Sequence, residues 1–531
     1  MFDEPGVRAG VCEKLARGDE AMMFLGIDVG TTNCKAGYFG GSGRLESWAS
    51  SPTATFRTED GLSYYDPEQL WRTVAATVRQ AREACPERGA VLSVGITSMA
   101  EAGLLVDRSS GEARSHVIPW FDPRSVPQCE ALMKRWDAAE RFRTTGLRAS
   151  YKYGLFKLLW LKEQDPSALE NAVWLSVADY IAYRFTGAPV TDYTLAARTF
   201  CFDIARKSWD GEAMSALGLP RGLFPEALPS FAASRPIRGG SFADLGIPDG
   251  TPVYVTGHDH LNAAFAVGAT RKGTLFNSMG TAETLIGVLE EKPLGQAEYD
   301  SGLAYGIHVA KDKYFWLGGL PASGGSVEWI RRLIHPEPLP YEELEALVRQ
   351  AGRMPTGLLY VPYLSGSGAP QPDPHSSGSI VGLRLHHERA HMLKAVLEGI
   401  AYEMESIRRA AAKANAKGLE GEGEIIAIGG GTRNREWMNI KANVSRSRIV
   451  LPRMPEAAMA GAAALAATGF GYFRDETEAG TAFGGGQADT IVPDEELQRQ
   501  YKAVYENKYL VYQELYRTYQ ALTKDVSAGG G

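Results

Sequence analysis

The chain of 531 residues is 44% apolar and 22% charged, which supplies material for large cores and excludes global disorder. On the usual size range it holds about two to four domains. Its net charge of −7 excludes the broad basic face of a nucleic-acid binder, and no apolar run reaches the ~18 residues of a membrane span.

Residues 1–21 are rich in charge and lack an apolar h-region, so they read as a disordered extension rather than a signal peptide. The five cysteines are scattered without Cys-x-x-Cys spacing, as expected for reduced thiols in a cytoplasmic protein. From Phe24 the chain reads strand, turn, strand: an apolar run ending in Asp28, a Gly30-Thr31-Thr32-Asn33 turn, and a return through Lys35 to Phe39. Backbone N–H groups, two hydroxyls and an amide side by side suit a polyphosphate, and Asp28 could hold Mg²⁺ through water. An ordinary hairpin with a tight turn has the same pattern.

Asp66-Pro67 opens a helix through Ala84, with Asp66 as cap. Val91 to Thr97 and Leu104 to Asp107 read as strands, with Ala100-Glu101 at a strand end where α/β proteins place ligands. Val117 to Arg124 reads as a strand ending in Trp120, Asp122 and Arg124, a trio able to bond and stack on a sugar or to form a surface ion pair. Tyr151 to Glu163 has helical periodicity and carries Lys152 and Lys157. A turn at Val173–Ser176 then leads into a helix stopped at Gly187. Strand and hairpin pieces are expected from Val190 to Asp203. The Pro/Gly/Ser-dense stretch from Leu219 to Asp249 marks a domain crossing, which divides the chain into 22–251 and 252–525.

A buried strand from Pro252 ends in Gly257-His258-Asp259-His260 and passes into a helix. Asp259 could cap that helix. Two histidines around one aspartate raise the question of a metal, but adjacent loop positions do not make a tetrahedral zinc set. Leu275 to Ile286, with Gly280-Thr281 at its turn, repeats the layout of Phe24 to Phe39 and points to an internal duplication. Gly324-Gly325 precede another helix, and Met392 to Ala411 forms a long one. Gly429-Gly430-Gly431 and Asn434 lie between a strand and a helix, where glycine lets a ligand approach a helix N-terminus or simply permits a tight turn. Met459 to Thr468 reads as a tightly packed core helix. The last helix carries Tyr501, Tyr505, Tyr509, Tyr512, Tyr516 and Tyr519 on one face, either packed on the second domain or forming a homodimer contact.

Taken together, these motifs resemble the FGGY carbohydrate kinases from about Met23 to Ala467. Gly26 to Thr32 resembles that family's first phosphate loop, Trp120-Phe121-Asp122-Pro123-Arg124 its W-x-D-x-R element, and Lys157 to Leu161 its K-L-x-W-L helix, with Gly154 as a departure. Thr191-Asp192 with Ala197-Arg198-Thr199, and Gly378 through Glu398, also fit. The resemblance implies an α/β fold of two ribonuclease-H-like domains, of actin and hexokinase type, with ligands in the cleft between them. It implies transfer of the γ-phosphoryl group of MgATP to a sugar or polyol hydroxyl, commonly a terminal primary one. Phosphate turns on both halves of the chain further suggest that the cleft closes around both ligands. Asp259 matches the catalytic base, with a possible part in holding the metal. Glu101, Trp120, Asp122, Arg124, Lys152 and His260 would line the sugar pocket. Thr31, Thr32, Asn33, Gly280, Thr281, Gly324, Gly325, Gly430, Gly431 and Asn434 would serve the nucleotide.

Glycerol kinases resembling this chain carry Arg-Glu where it has Ala100-Glu101, and xylulokinases carry Met-His. The pocket composition suits a polyhydroxylated ketose or polyol. A non-catalytic sugar- or nucleotide-binding regulator and an actin-like ATPase are the alternatives on the same fold.

Overall fold

The structure, a computed structural model, describes residues 22–86, 89–239, 242–335, 337, 339–415, 423–484, 486 and 488–527. The expected N-terminal extension and the glycine tail fall outside these residues.

The first sheet contains β1 (Met22–Val29), β2 (Asn33–Gly40), β3 (Leu45–Pro52), β4 (Ala90–Ser98) and β5 (Pro252–His258) in the spatial order β5-β4-β1-β2-β3. β1 and β2 form the expected antiparallel hairpin, β3 extends it, and β4 and β5 run parallel to β1. The second sheet contains β6 (Leu275–Met279), β7 (Glu283–Glu290), β8 (Lys313–Leu320), β9 (Glu424–Ile428) and β10 (Arg448–Pro452) in the order β10-β9-β6-β7-β8. Its pairings match the first strand for strand: β6 and β7 form a hairpin, β8 extends it, and β9 and β10 lie parallel to β6. Each sheet also carries an antiparallel edge strand beyond its parallel pair, Ser234–Pro236 in one and Ala488–Ile491 in the other, and the second sheet adds a seventh strand, Ala304–Ile307, antiparallel to β8. The duplication is therefore one of topology.

Seven helices matter for the site: α1 (Pro67–Glu83), α2 (Gly154–Gln164), α3 (Asp259–Ala266), α4 (Gly324–Leu333), α5 (Arg389–Ala414), α6 (Arg435–Ser445) and α7 (Ala457–Phe470). Asp66 caps α1 as expected, accepting from the Gln69 amide at 2.7 Å. The Ala/Gly-rich α7 lies directly on the first sheet: a Cβ on Gly95 would sit 2.0 Å from the Ala462 carbonyl oxygen, and one on Gly26 would sit 2.2 Å from that of Met459. On its other side Gly461 would meet the Asn262 carbonyl of α3 at 2.0 Å if it carried a Cβ. An apolar cluster around α3 and α7 draws Phe24 and Phe39 from the first sheet and Phe276, Ile286 and Ile426 from the second. These two small-residue helices join the halves of the molecule.

Several expectations change. A division of the chain at residue 252 puts β5 in the second half, but β5 pairs with β4 in the first sheet, so the strand leading to Asp259 belongs with the N-terminal half. Val117 to Arg124 is not a strand. Only single bridges form, at Val117 with Tyr65 and at Ile118 with Gly103, before a turn and a short 3-10 helix at Pro123–Ser125. Pro119 and Pro123 have no N–H to give a ladder. Val173–Ser176, expected as a turn, belongs to a strand (Ala172–Ser176) paired with Gly103–Asp107. Ala196 and Ala197 lie in the short helix Tyr193–Ala197, which Asp192 caps through the Thr194 and Leu195 amides.

The tyrosine stripe is mostly core. Tyr501, Tyr505 and Tyr509 are buried against α5, where Tyr501 donates to Glu398 at 3.2 Å, Tyr509 donates to Glu403 at 2.7 Å and Tyr505 shares a hydrogen bond with Ser406 at 3.0 Å. Tyr516 is also buried and donates to the Ser377 carbonyl. Tyr519 alone of the six is counted among the large exposed side chains.

Candidate active site

Three carboxylates stand at the C-terminal ends of adjacent parallel strands. Asp28 is the penultimate residue of β1, Glu101 follows β4, and Asp259 follows β5. Strand ends of this kind are the usual ligand position in open α/β sheets, because the chain there leaves the ladder and its side chains can converge.

Asp28 is buried, and its Oδ1 has no hydrogen-bond partner. Burial, and then repulsion from Asp259, hold its carboxyl well above the usual carboxylate range, while Lys35 opposes them. Lys35 stands opposite Asp28 in the hairpin and is itself tied to Glu456, which precedes α7.

Asp259 is the first residue of α3. Its Oδ1 accepts from the His260 amide at 2.6 Å and lies 3.3 Å from His258 Nε2. The helix cap position falls on His258, so Asp259 is not the cap considered from the sequence. Its side chain stays about a quarter exposed (25%), and burial also raises this carboxyl above its ordinary range. His258 and His260 are both held neutral by burial, His260 down to about 4. Gly257, where the register of β5 shifts, needs to be glycine: its φ is +103°, and a Cβ would lie 2.3 Å from Thr194 Oγ1.

Glu101 takes a left-handed backbone conformation, φ 62°. Its Oε1 accepts from Arg198 Nε at 2.7 Å and from Nη2, and Lys152 Nζ lies 3.8 Å away. Burial pushes this carboxyl up, but Arg198 first and Lys152 after it outweigh that and bring it down to about 2. The carbonyl of Glu101 accepts from Lys157 Nζ, which also donates to the Ile118 and Pro119 carbonyls at 3.2 and 2.9 Å. Lys157 is fully buried. It joins the Glu101 loop to the segment that presents Trp120. Trp120 is 40% exposed and donates from Nε1 to Thr31 Oγ1 at 3.1 Å, linking this wall to the first turn.

Asp122 and Arg124 are not at the pocket surface. Asp122 is fully buried. Its Oδ2 accepts from the Ser63 amide and its Oδ1 from Arg124 Nε, both at 2.6 Å. Arg124 lies over the Trp160 ring and also donates to the Ser63 carbonyl. The expected sugar contacts are a buried pair that braces the Trp120 turn from behind, and the surface ion pair weighed against them is not formed either.

In the first turn Gly30 N bonds Asn33 O at 3.0 Å, and Thr32 at the tip is exposed. The second turn repeats this: Gly280 N bonds Ala282 O at 2.9 Å, and Gly280 and Thr281 are exposed. Its carbonyls are seated on the start of α4, where Gly324 N donates to Gly280 O at 3.1 Å and Gly325 N to Thr281 O at 3.0 Å. A Cβ on Gly324 would lie 2.4 Å from Gly280 O. The amides of Gly324 and Gly325, expected for the nucleotide, are therefore engaged in shaping the turn. Gly429 approaches β6 closely at φ +101°, Gly430 has open space where a side chain would stand, and Gly431 lies against Met279 and Trp437. Asn434 caps α6, accepting from the Trp437 amide at 2.9 Å.

Sequence reasoning brought Asp28, Glu101, Trp120, Lys152, Asp259 and His260 to one neighbourhood. It gave no role of its own to Arg198, Lys157 or Glu456, because their partners lie far away in the chain. The only available signal was the presence of Lys157 and Arg198 in recognisable motifs.

Two family models match the chain: the FGGY family of carbohydrate kinases, N-terminal domain, over residues 23–266, and the C-terminal domain of the same family over residues 275–470. Asp259 falls in the first, in agreement with the sheet that carries it. A xylulose kinase from Bacillus subtilis is 28% identical over 95% of this chain and 97% of its own length. A glycerol kinase from Thermus brockianus is 31% identical over 83% of this chain and 88% of its own. Among solved structures, a gluconate kinase from Lactobacillus acidophilus superposes with a TM-score of 0.83 at 23% identity, covering 95% of this chain and 98% of that one. Plasmodium falciparum glycerol kinase with ADP gives 0.82 at 20% identity, covering 92% and 97%.

Proposed function

The chain belongs to the FGGY family of carbohydrate kinases, and on that premise we propose that Asp259 is the base that accepts the proton of a sugar hydroxyl as the γ-phosphoryl group of ATP is transferred to it. The chain is an ATP-dependent carbohydrate kinase with the two-domain α/β fold of that family; neither a non-catalytic regulator nor an actin-like ATPase finds support among its relatives. The observation that carries the assignment of the base is the set of three carboxylates on adjacent strand ends, with Asp259 partly exposed and its proton affinity raised. A base of raised affinity is better matched to an alcohol proton than an ordinary carboxylate.

Phosphoryl transfer has a loose transition state, so positioning and charge neutralisation matter more than strong base catalysis. Glu101 and Lys152, with His260 and the Trp120 face, would hold a polyhydroxylated ketose or polyol with one hydroxyl, a terminal primary one, at Asp259. The turns at Thr31-Thr32-Asn33 and Gly280-Thr281 would take the phosphates, and Gly430, Gly431 and Asn434 would border the adenosine. The partnerless Asp28 oxygen, beside a second carboxylate that repels it, fits a divalent cation, so Asp28 and Asp259 are the residues that would hold Mg²⁺. When bound, Mg²⁺ supplies neutralisation of the phosphate charge. No helix among the described residues is long and apolar enough to cross a membrane.

The test is a coupled ADP-release assay on a panel of pentuloses, hexuloses, tetritols and pentitols with glycerol as control, run on the wild type and on Asp259→Asn. We expect ATP-dependent turnover on a member longer than glycerol, its loss in Asp259→Asn, and retained ATP binding. Turnover retained by Asp259→Asn overturns the base assignment, and glycerol as best substrate overturns the expectation, drawn from Ala100 in place of the glycerol kinases' Arg, that the acceptor is longer than glycerol.

A further inference from the structure

Glu283 and Lys441 form an ion pair in which both side chains are fully buried, 0% exposed. Glu283 is the first residue of β7 and so directly follows the Gly280–Ala282 turn. Its Oε1 accepts from Lys441 Nζ and from Asn277 Nδ2 at 3.0 Å, and its Oε2 accepts from Ser323 Oγ at 2.6 Å. Ser323 immediately precedes α4, and its own amide donates to Thr281 O at 3.0 Å. Lys441 lies on α6, the helix that starts after the Gly429–Gly431 loop and is capped by Asn434. One carboxylate thus binds the base of the second turn, the start of α4 on which that turn is seated, and the helix behind the glycine loop.

Stability alone gives a poor reason for this arrangement. A buried ion pair loses the hydration of both ions, and well-packed apolar residues in its place are often neutral or stabilising. What a buried pair held by further hydrogen bonds does supply is a fixed relative position of the elements that carry it. Glu283 and Lys441 are 158 residues apart and belong to different elements, so their contact sets how the turn lies against α6.

We propose that the Glu283–Lys441 pair is a positioning device for the nucleotide side of the active site, holding the Gly280–Thr281 turn in register with the Gly430–Asn434 segment. This rests on the reading that these two segments receive ATP. Neither residue touches substrate in this account; both act through the turn and the loop. The sugar pocket, built on the other sheet around Glu101 and Asp259, has no share in the network.

The test compares the wild type with the double variant Glu283→Gln/Lys441→Met, which removes both charges while Gln keeps a partner for Ser323 and Met replaces the Lys stem. We expect a folded enzyme with KM for ATP raised about tenfold, weaker ADP binding by calorimetry to the same extent, and an unchanged KM for the sugar. An unchanged KM for ATP, or an equal rise in both KM values, overturns the proposal. If the double variant does not fold, Ser323→Ala serves instead. It leaves the ion pair intact and removes the hydroxyl that joins it to α4, and a rise of about threefold in KM for ATP alone supports the proposal while no rise overturns it. A wild type without ATP-dependent phosphoryl transfer overturns the underlying reading together with this one; an active wild type whose variants keep their KM for ATP overturns only the positioning role.

Discussion

Arg198 grips a single oxygen of Glu101. Its Nε donates to Oε1 at 2.7 Å, its Nη2 donates to the same atom, and Lys152 approaches that atom at 3.8 Å. The side chains of Glu101 and Arg198 are 9% and 5% exposed, so the pair is a desolvated one. With the cations gathered on Oε1, Oε2 keeps acceptor capacity, which the proposed sugar site would use.

Removing the guanidinium strands a charge in a nearly dry site. Arg198→Met should therefore cost about 3 kcal/mol in a denaturant titration at pH 7 and raise KM for the sugar. The paired Glu101 titrates at about 2 in the fold against about 4.5 in the unfolded chain, so its contribution is full above 4.5 and is lost as the pH falls toward 2. Glu101→Gln should flatten that part of the acid limb of the stability curve. An unchanged acid limb counts against the pairing.

Asp28 offers the opposite sign. Burial and Asp259 raise its carboxyl, so in metal-free buffer the fold holds a proton there that the unfolded chain releases, and stability falls as the pH rises above the ordinary carboxylate range. Asp28→Asn should then gain at least about 1 kcal/mol over wild type at pH 8 in EDTA, with little gain near pH 4. The same variant should lose turnover. Equal stability of the two proteins at pH 8 would contradict the buried, repelled carboxylate.

Lys157 satisfies the carbonyls of Glu101, Ile118 and Pro119 with one ammonium group. Lys157→Met leaves these acceptors without their donor, at a cost of about 1–3 kcal/mol for each group that water does not reach. The expected result is a lowered thermal midpoint and a raised KM for the sugar with KM for ATP unchanged, because the carbonyls lie on the wall proposed for the sugar. A rise in KM for ATP alone would place Lys157 elsewhere in the mechanism.

The helix–sheet joint should tolerate no added carbon. At Gly95 a Cβ would meet a main-chain oxygen of α7 at 2.0 Å, and main chain cannot move aside as a flexible side chain can. Gly95→Ala should destabilise by about 2 kcal/mol in equilibrium unfolding. A cost near zero would show that α7 is free to shift.

The chain's local grammar carried much of this. Apolar runs broken by Gly-Thr turns announced both hairpins, and Asp66-Pro67 announced the start of α1, because a strand, a turn or a cap depends on residues within a few positions of one another. The serial order of such segments was enough to reveal the family and, through the repeat at Leu275, the duplicated sheet.

What the tertiary structure alone decided are the contacts between distant positions. Glu101 and Arg198 lie 97 residues apart, and Asp122 is shut in by a backbone amide 59 residues upstream, so neither the pocket pairing nor the burial of Asp122 could follow from spacing. The same holds for Asp259, which local pattern placed at the head of the second half and β5 places on the first sheet. Tyrosines at helical spacing showed that a face exists, and only the packing of α5 against it showed which of them are buried. Periodicity determines which face of an element is apolar. Which element covers that face, and which charges meet across it, is set by the packing of the whole chain.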